Sequence, residues 1–282
     1  MRRGNYRFSK PAAVLTVTLG LLTPTAANMV GAAAGAAGAV PPDGRTSTIV
    51  SSATPRAFHA PESGTRPNPA AIAREAALVA RYTNVLVRVP RTLPALARPQ
   101  PGAAQVGVVP AGSKYYGLPI VAWVEDFSAD GRWGLVELPY SWPRREGWIR
   151  IGSLDRRTTR IRVDVDLSEH MVTVTKLGRV LFRAPGATGR SSSPTPVGDY
   201  FVTDRVPFSA GGSLGSYAFG ISGIQPRLPA GWSGGNQLAI HGTNQPSSIG
   251  TSASAGCIRV SESTLARLKP LLGYGTPVVI HA

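Results

Sequence analysis

The sequence predicts an all-β protein: a small barrel followed by a larger β-sandwich or open barrel that carries one short helix. Three observations predict it. Five short apolar runs divided by Gly, Pro and Asp crowd into residues 84–155. The segment "IRVDVDL" alternates strictly, putting Ile161, Val163, Val165 and Leu167 on one face. After it, "SESTLARLKPLL" is the one stretch with helical texture, and the chain closes on a strand-like "TPVVIHA".

Arg2, Arg3, Arg7 and Lys10 precede an apolar run, Ala12 to Leu22, and small residues follow in "TPTAANM" and "GAAAGAAGA". That is the charge, apolar and small-residue order of an export signal, with cleavage expected after Ala27 or further along the Ala/Gly run. Residues 1–40 are therefore read as an export signal or membrane anchor. The anchor ranks second, because Pro24 and Asn28 interrupt the run and a span needs about 20 apolar residues. Residues 41–70, rich in Pro, Ser and Thr, read as a disordered linker.

"PAAIAREAALVARYT" predicts a short helix with Pro69 in its first turn. The strand runs follow: "NVLVRV", "QVGVVPAG", "YYGLPIVAWVEDF", "GRWGLVEL" and "EGWIRIGSL". On "VGVVPAGSKYYG", "DGRWGLVEL" and "GWIRIGSL" the segment resembles a bacterial SH3-like module, which implies a domain over residues 71–158, helix included, and a wall-peptide-binding role. Trp123, Trp133 and Trp148 are expected in its core, and Tyr115, Tyr116 and Trp142 on its surface.

Residues 159–282 form the third region. "MVTVT" and "RVLFRA" continue as strands, "SSSPTPVGDYFVTDRV" is a loop entering another strand, and "QLAI" runs into His241. Ser261 or Ser263 caps the helix, while Pro270 and Gly273 end it.

The chain carries 30 Lys+Arg against 15 Asp+Glu, a formal charge of +15. A scattered cationic surface favours polyanions such as anionic wall polymers. No DNA-reading motif accompanies it, so nucleic acid is not expected as a partner. A membrane contact is expected solely through the N-terminal segment, if it stays uncleaved. Four scattered histidines and one cysteine give no metal-ligand spacing, so neither a metal nor a cofactor is expected. His59, His170 and His281 sit in no motif.

Cys257 is the single cysteine. In an exported protein structural cysteines come in pairs, which leaves a reactive thiol as the alternative to a small buried apolar side chain. His241 ends an apolar run upstream, and the Gly/Ser-rich loop between them can return the chain so that imidazole and thiol meet. The imidazole would then hold a thiolate as an ion pair and later return the proton to a leaving amine. Gly256 allows a tight turn and leaves the Gly256 and Cys257 amides to face an oxyanion. Gly242 takes bulk from the other lip. With no carboxylate between Asp204 and Glu262, the Gly242 carbonyl is the simplest group to fix the His241 tautomer. Arg259, two residues past the thiol, points to the same side of a strand and could hold a substrate carboxylate.

"IHG" at 240–242, "SAGCIRV" at 254–260 and "TPVGDYF" at 195–201 together resemble the L,D-transpeptidase catalytic domain of YkuD-like fold. "GSYAFGISG" and "GTPVVI" fit an actinobacterial-looking branch. The resemblance covers about residues 160–281. It implies Cys257 as acyl-enzyme nucleophile, His241 as general base and acid, Gly256, Gly242 and Ser254 around the oxyanion loop, and Arg259 with Tyr217 as substrate contacts. Core packing competes for Tyr217 and for Tyr200. Many members carry a second histidine where this chain has Ala255. The implied activity is peptidoglycan 3→3 cross-linking between a donor tetrapeptide and an acceptor amine at the cell wall, outside the membrane. Two alternatives remain from the residues: a wall-peptide cysteine peptidase or amidase, and a non-catalytic wall-binding protein.

Overall fold

The computed structural model describes residues 68–282; the readings for residues 1–40 and for 41–67 lie outside the described residues. Helix α1 (Pro69–Tyr82) starts where the sequence places it. Asn68 caps it, its side-chain oxygen accepting the Ala70 N–H at 2.9 Å, and Pro sits in the first turn, where no intrahelical N–H is needed. Among the described residues no helix is long and apolar enough to cross a membrane.

A first, antiparallel sheet holds β1 (Asn84–Arg88), β2 (Leu93–Leu96), β3 (Gln105–Val109), β4 (Val121–Phe127), β5 (Trp133–Glu137), β6 (Glu146–Arg150) and β7 (Arg156–Thr159) in the order β3-β2-β6-β5-β4-β1-β7. Two of its seven strands were not expected. β2 contains Pro94, which lacks a ladder N–H. It survives because β2 meets β6 at a single pair, Leu96 with Trp148, so beside Pro94 the strand has one full neighbour, β3. β7 reads "RRTT", without an apolar face, and lies at the sheet edge against β1, where charged side chains discourage further pairing. Trp133 is buried, Trp123 and Trp148 are half-buried, and Tyr115, Tyr116 and Trp142 are exposed. The order leaves β3 and β7 as outer strands, so within the described residues this sheet is open.

The second sheet is mixed. It comprises β8 (Ile161–Asp166), β9 (Met171–Lys176), β10 (Arg179–Pro185), β12 (Gly198–Pro207), β13 (Tyr217–Ile224), β14 (Gln237–His241), β16 (Ile258–Arg259) and β17 (Pro277–His281), in the order β10-β9-β8-β17-β12-β13-β14-β16. A small parallel pair, β11 (Thr188–Gly189) with β15 (Ser252–Ser254), lies alongside. The long strand β12 joins the two halves. Gly198 to Phe201 pair with β17, and Val202 to Pro207 pair with β13 across a register shift. A shift of this kind bends a strand, so the sheet curls over one core rather than splitting into two facing layers. The open-barrel form of the expectation is the one found. The alternating Ile161, Val163 and Val165 face this core with Phe219, Leu238, Ile240, Ile258 and Val278.

Helix α2 (Glu262–Leu268) closes the core with Leu265 and Leu268, and Ser261 caps it by accepting the Thr264 N–H at 3.2 Å.

The two sheets share side chains. Phe201 of β12 is fully buried and belongs to the core of the first sheet, among Val87, Ile120 and Ile149. Beside it, the Ser222 hydroxyl accepts the Phe201 N–H at 3.1 Å and donates to the Glu137 carboxyl of β5. Burial pushes that carboxyl well above the usual carboxylate range, against the opposing pull of Ser222 and Arg144. Phe201→Ala is expected to cost about 3–5 kcal/mol in urea unfolding; a loss below about 1 kcal/mol would show that the first core closes without it.

Candidate active site

Alternation sorts the residues of β14 and β16. Leu238, Ile240, Ile258 and Val260 enter the core. Gln237, Ala239, His241, Cys257 and Arg259 have the opposite parity and lie on the other face. The parallel register sets Ile240 against Ile258 and His241 against Arg259, which puts Cys257 one step earlier, beside Ala239. With a rise of about 3.3 Å per residue and strands about 4.8 Å apart, the His241 and Cys257 backbones are diagonal neighbours about 8 Å apart, within reach of two inward-leaning side chains. Both groups also feel Arg259, whose positive charge lowers the pKa of each.

His241 is buried and its Nδ1 lies 2.5 Å from the Gly242 carbonyl oxygen. A carbonyl accepts, so Nδ1 carries the proton and Nε2 presents a lone pair. The carbonyl inferred from the lack of a nearby carboxylate is the partner the structure gives. Burial pushes the His241 pKa down to about 4, against the Gly242 hydrogen bond and with Arg259 adding to the fall. The ring is neutral at physiological pH.

The thiol differs from the expectation. Cys257 is partly exposed as a residue, yet burial around Sγ raises its pKa, more than an Ala239 backbone N–H and the Arg259 charge lower it. Sγ also donates to the Gln237 carbonyl at 3.9 Å. Burial thus favours a neutral thiol and a neutral imidazole, where the two residue types alone suggested an ion pair. Desolvation disfavours both charges, and one guanidinium nearby cannot favour an imidazolium.

The oxyanion loop is also corrected. The Gly256 N–H is engaged by the Ser254 hydroxyl at 3.0 Å, and that hydroxyl donates to the Cys257 carbonyl at 2.6 Å. Buried Ser254 therefore staples the thiol segment, and of the two amides expected to face an oxyanion only that of Cys257 makes no hydrogen bond among the described residues. Gly256 has φ +122°, a conformation glycine tolerates, and a Cβ there would strike the Gln225 amide. Gly242 opens no lip: it is buried against Gly215, Leu265 and Glu262. The Tyr217 ring packs on Phe219, centroids 5.0 Å apart, with the Lys269 ammonium 5.0 Å from its centroid, and its carbonyl accepts the Gly242 N–H. Arg259 donates to Gln245 Oε1 at 3.1 Å. Tyr200 is buried in the core.

Two further residues reach the thiol segment and were not singled out in sequence. Thr195, the first residue of "TPVGDYF", donates its hydroxyl to the Gly256 carbonyl at 2.8 Å. Gln225 fills the space beside Gly256 and donates to the Pro194 carbonyl at 3.0 Å. The run "PTP", two prolines enclosing a hydroxyl, was the available signal. His170 hydrogen-bonds Thr188 and His281 faces Asp166. Among the described residues no group of three His, Cys, Asp or Glu side chains is placed to hold a metal. A cleft of about 290 Å³, lined by Leu86, Arg157, Arg205 and Gly273 among others, includes none of the site residues.

Residues 160–280 match the family model described as the L,D-transpeptidase catalytic domain, YkuD. The chain is 29% identical over 130 residues to a YkuD protein of Bacillus subtilis strain 168, covering 46% of this chain and 71% of the relative. It is 31% identical over 123 residues to a YkuD protein of Bacillus licheniformis, covering 44% of this chain and 67% of the relative. Both relatives are named as L,D-transpeptidases. A solved L,D-transpeptidase from Mycobacterium tuberculosis H37Rv is similar at 21% identity and a TM-score of 0.38, over 77% of this chain and 86% of that one. Through residues 160–280 this chain belongs to the YkuD-type L,D-transpeptidase catalytic domain family.

Proposed function

We propose that the chain is an exported peptidoglycan L,D-transpeptidase that forms 3→3 cross-links through a thioester on Cys257. The observation that carries this reading is the pairing of a lone thiol with a histidine on the same sheet face, its tautomer set by Gly242 so that Nε2 accepts a proton. A donor tetrapeptide presents the carbonyl of its third residue to Sγ. As the S–C bond forms, the thiol proton passes to Nε2, and the carbonyl oxygen takes up negative charge facing the Cys257 N–H. The C–N bond to the terminal D-Ala breaks, and His241 returns the proton to the leaving amine. The side-chain amine of a neighbouring stem peptide then attacks the thioester. One of its protons passes by His241 back to sulfur, which leaves an amide and a free thiol.

Because the resting pair is neutral, proton transfer in this scheme accompanies attack rather than preceding it. Arg259 favours the developing thiolate and can meet the donor's carboxylate. The export-signal pattern of residues 1–40 supports a location outside the membrane, at the wall. The +15 charge suits an anionic polymer around it. The first sheet, with exposed Tyr115, Tyr116 and Trp142, would serve as an SH3-like wall-binding module.

Incubation of the protein with a defined tetrapeptide donor and an amine acceptor tests the reading. Mass spectrometry is expected to find cross-linked dimer and released D-Ala. Hydrolysed tripeptide without dimer would make the protein a cysteine peptidase instead, and unchanged donor would leave a wall-binding protein.

A further inference from the structure

Resting on the transpeptidase reading, we propose that Thr195 is a positioning residue for the oxyanion: it fixes and polarises the Gly256–Cys257 peptide so that the Cys257 N–H is presented to the acyl carbonyl. The backbone groups of Gly256 and Cys257 leave one donor over. The Gly256 N–H goes to Ser254 Oγ, the Cys257 carbonyl accepts from the same hydroxyl, and the Gly256 carbonyl accepts from Thr195 Oγ1. Of these groups the Cys257 N–H makes no hydrogen bond among the described residues.

The peptide between Gly256 and Cys257 is trans, as the sole cis bond among the described residues is Trp142–Pro143. In a planar trans peptide the C=O and N–H point to opposite sides. Holding the Gly256 oxygen on Thr195 therefore turns the Cys257 N–H away from Thr195. Without that hold the peptide would turn easily, because its N-terminal partner is a glycine at φ +122° with no Cβ to restrict it. Gln225 packs against Gly256 and limits where its Cα can go, but its amide bonds to Ser193 and Pro194 and makes no hydrogen bond to the Gly256–Cys257 peptide. Thr195 makes the one hydrogen bond that peptide has on its oxygen.

The hydroxyl is well suited to this. A threonine hydroxyl has one proton to give, and here it is given to Gly256, while its oxygen accepts the Gly189 N–H at 2.8 Å. The chain from Gly189 through Thr195 to Gly256 runs in one direction, and hydrogen bonds in series polarise one another, which makes the amide at the far end a better donor. Thr195 is buried, and its backbone is held by rings on both sides: Pro194 has a fixed φ, and Pro196 confines the residue before it to extended conformations. A device that has to be in place before the charge develops is built on a rigid segment.

Two reactions of the same sulfur separate positioning of the amide from placement of the thiol. Acyl transfer needs a donor for the developing oxyanion; thiol–disulfide exchange with Ellman's reagent does not. Thr195→Val is expected to lower kcat for acylation by a tetrapeptide donor about 10- to 100-fold with KM unchanged, as befits an interaction made in the transition state. Its exchange rate with Ellman's reagent stays within about twofold of wild type, and Thr195→Ser restores kcat. Should the valine variant not fold, Thr195→Ala, whose smaller side chain admits a water to the Gly189 N–H, is expected to lower kcat at least about fivefold with the same serine rescue. Unchanged kcat in the valine or alanine variant, a parallel fall of both reactions, or failure of serine to rescue would overturn the role. A wild-type protein that forms no thioester would instead overturn the transpeptidase reading.

Discussion

Cys257→Ala is expected to abolish thioester formation and cross-linking while the fold survives. No other cysteine exists in the chain to take over the reaction. Only one sulfur atom is removed, so few packing contacts are lost, and thermal unfolding is expected within a few degrees of wild type at roughly 1 kcal/mol or less. Cys257→Ser tests the sulfur itself. An alcohol at that position is far less acidic than a thiol, and a neutral imidazole with a pKa of about 4 is a weak base for it. Intact-mass spectrometry with the donor is expected to show no adduct on either variant. An acyl adduct on the alanine protein would remove Cys257 from the mechanism.

His241→Gln carries the second large effect. Loss of a positioned base lowers acylation by about 10²–10⁴-fold, measured as kcat/KM for the donor. The same substitution changes the acid sensitivity of the fold. His241 titrates near 6.5 when unfolded and at about 4 when folded, so below 6.5 the unfolded chain binds the proton first. Stability contributed by keeping this ring neutral is present above pH 6.5 and lost as pH falls towards 4, by about 3 kcal/mol in all. Urea unfolding at pH 7 and at pH 4.5 reads it. Wild type is expected to lose more stability between the two than His241→Gln does. Equal losses would mean that the ring is solvated in the folded protein.

The neutral resting pair also changes what thiol reagents report. Alkylation by iodoacetamide is expected to be slow at neutral pH and to accelerate as pH rises above that of an ordinary cysteine. Sluggish alkylation is therefore a property of the proposed enzyme and does not by itself argue for an inert wall-binding protein.

Much of the architecture was legible from periodicity. The alternation of Ile161, Val163 and Val165 fixed a core face, and of the two serines that could cap α2, Ser261 is the one that does. Strands β2 and β7 were hidden because one carries a proline and the other no apolar face; both depend on where they lie in the sheet, which local sequence does not encode. The sharing of Phe201 between the two cores was likewise invisible, since its strand reads the same whichever sheet it packs on.

In the site, the Gly242 partner of His241 could be read from residue types, as could a loop that returns the chain so that the His241 strand and the segment after Cys257 lie side by side. The protonation states could not. They follow from how many neighbours strip water from Sγ and the ring, a property of the closed fold. The oxyanion amides were over-counted because Ser254, two residues before Gly256, is close enough to take that N–H once the chain turns. Thr195 was passed over because its partner lies far along the chain and meets it only through the curl that sets β11 beside β15.

The central claim is that the sulfur of Cys257 carries the acyl group. Wild-type protein incubated with tetrapeptide donor alone, quenched in acid and digested, is predicted to yield the peptide holding Cys257 with a tripeptide acyl attached and removable by hydroxylamine. Donor consumed while that peptide stays unmodified, or an acyl group found on any other residue, would contradict it.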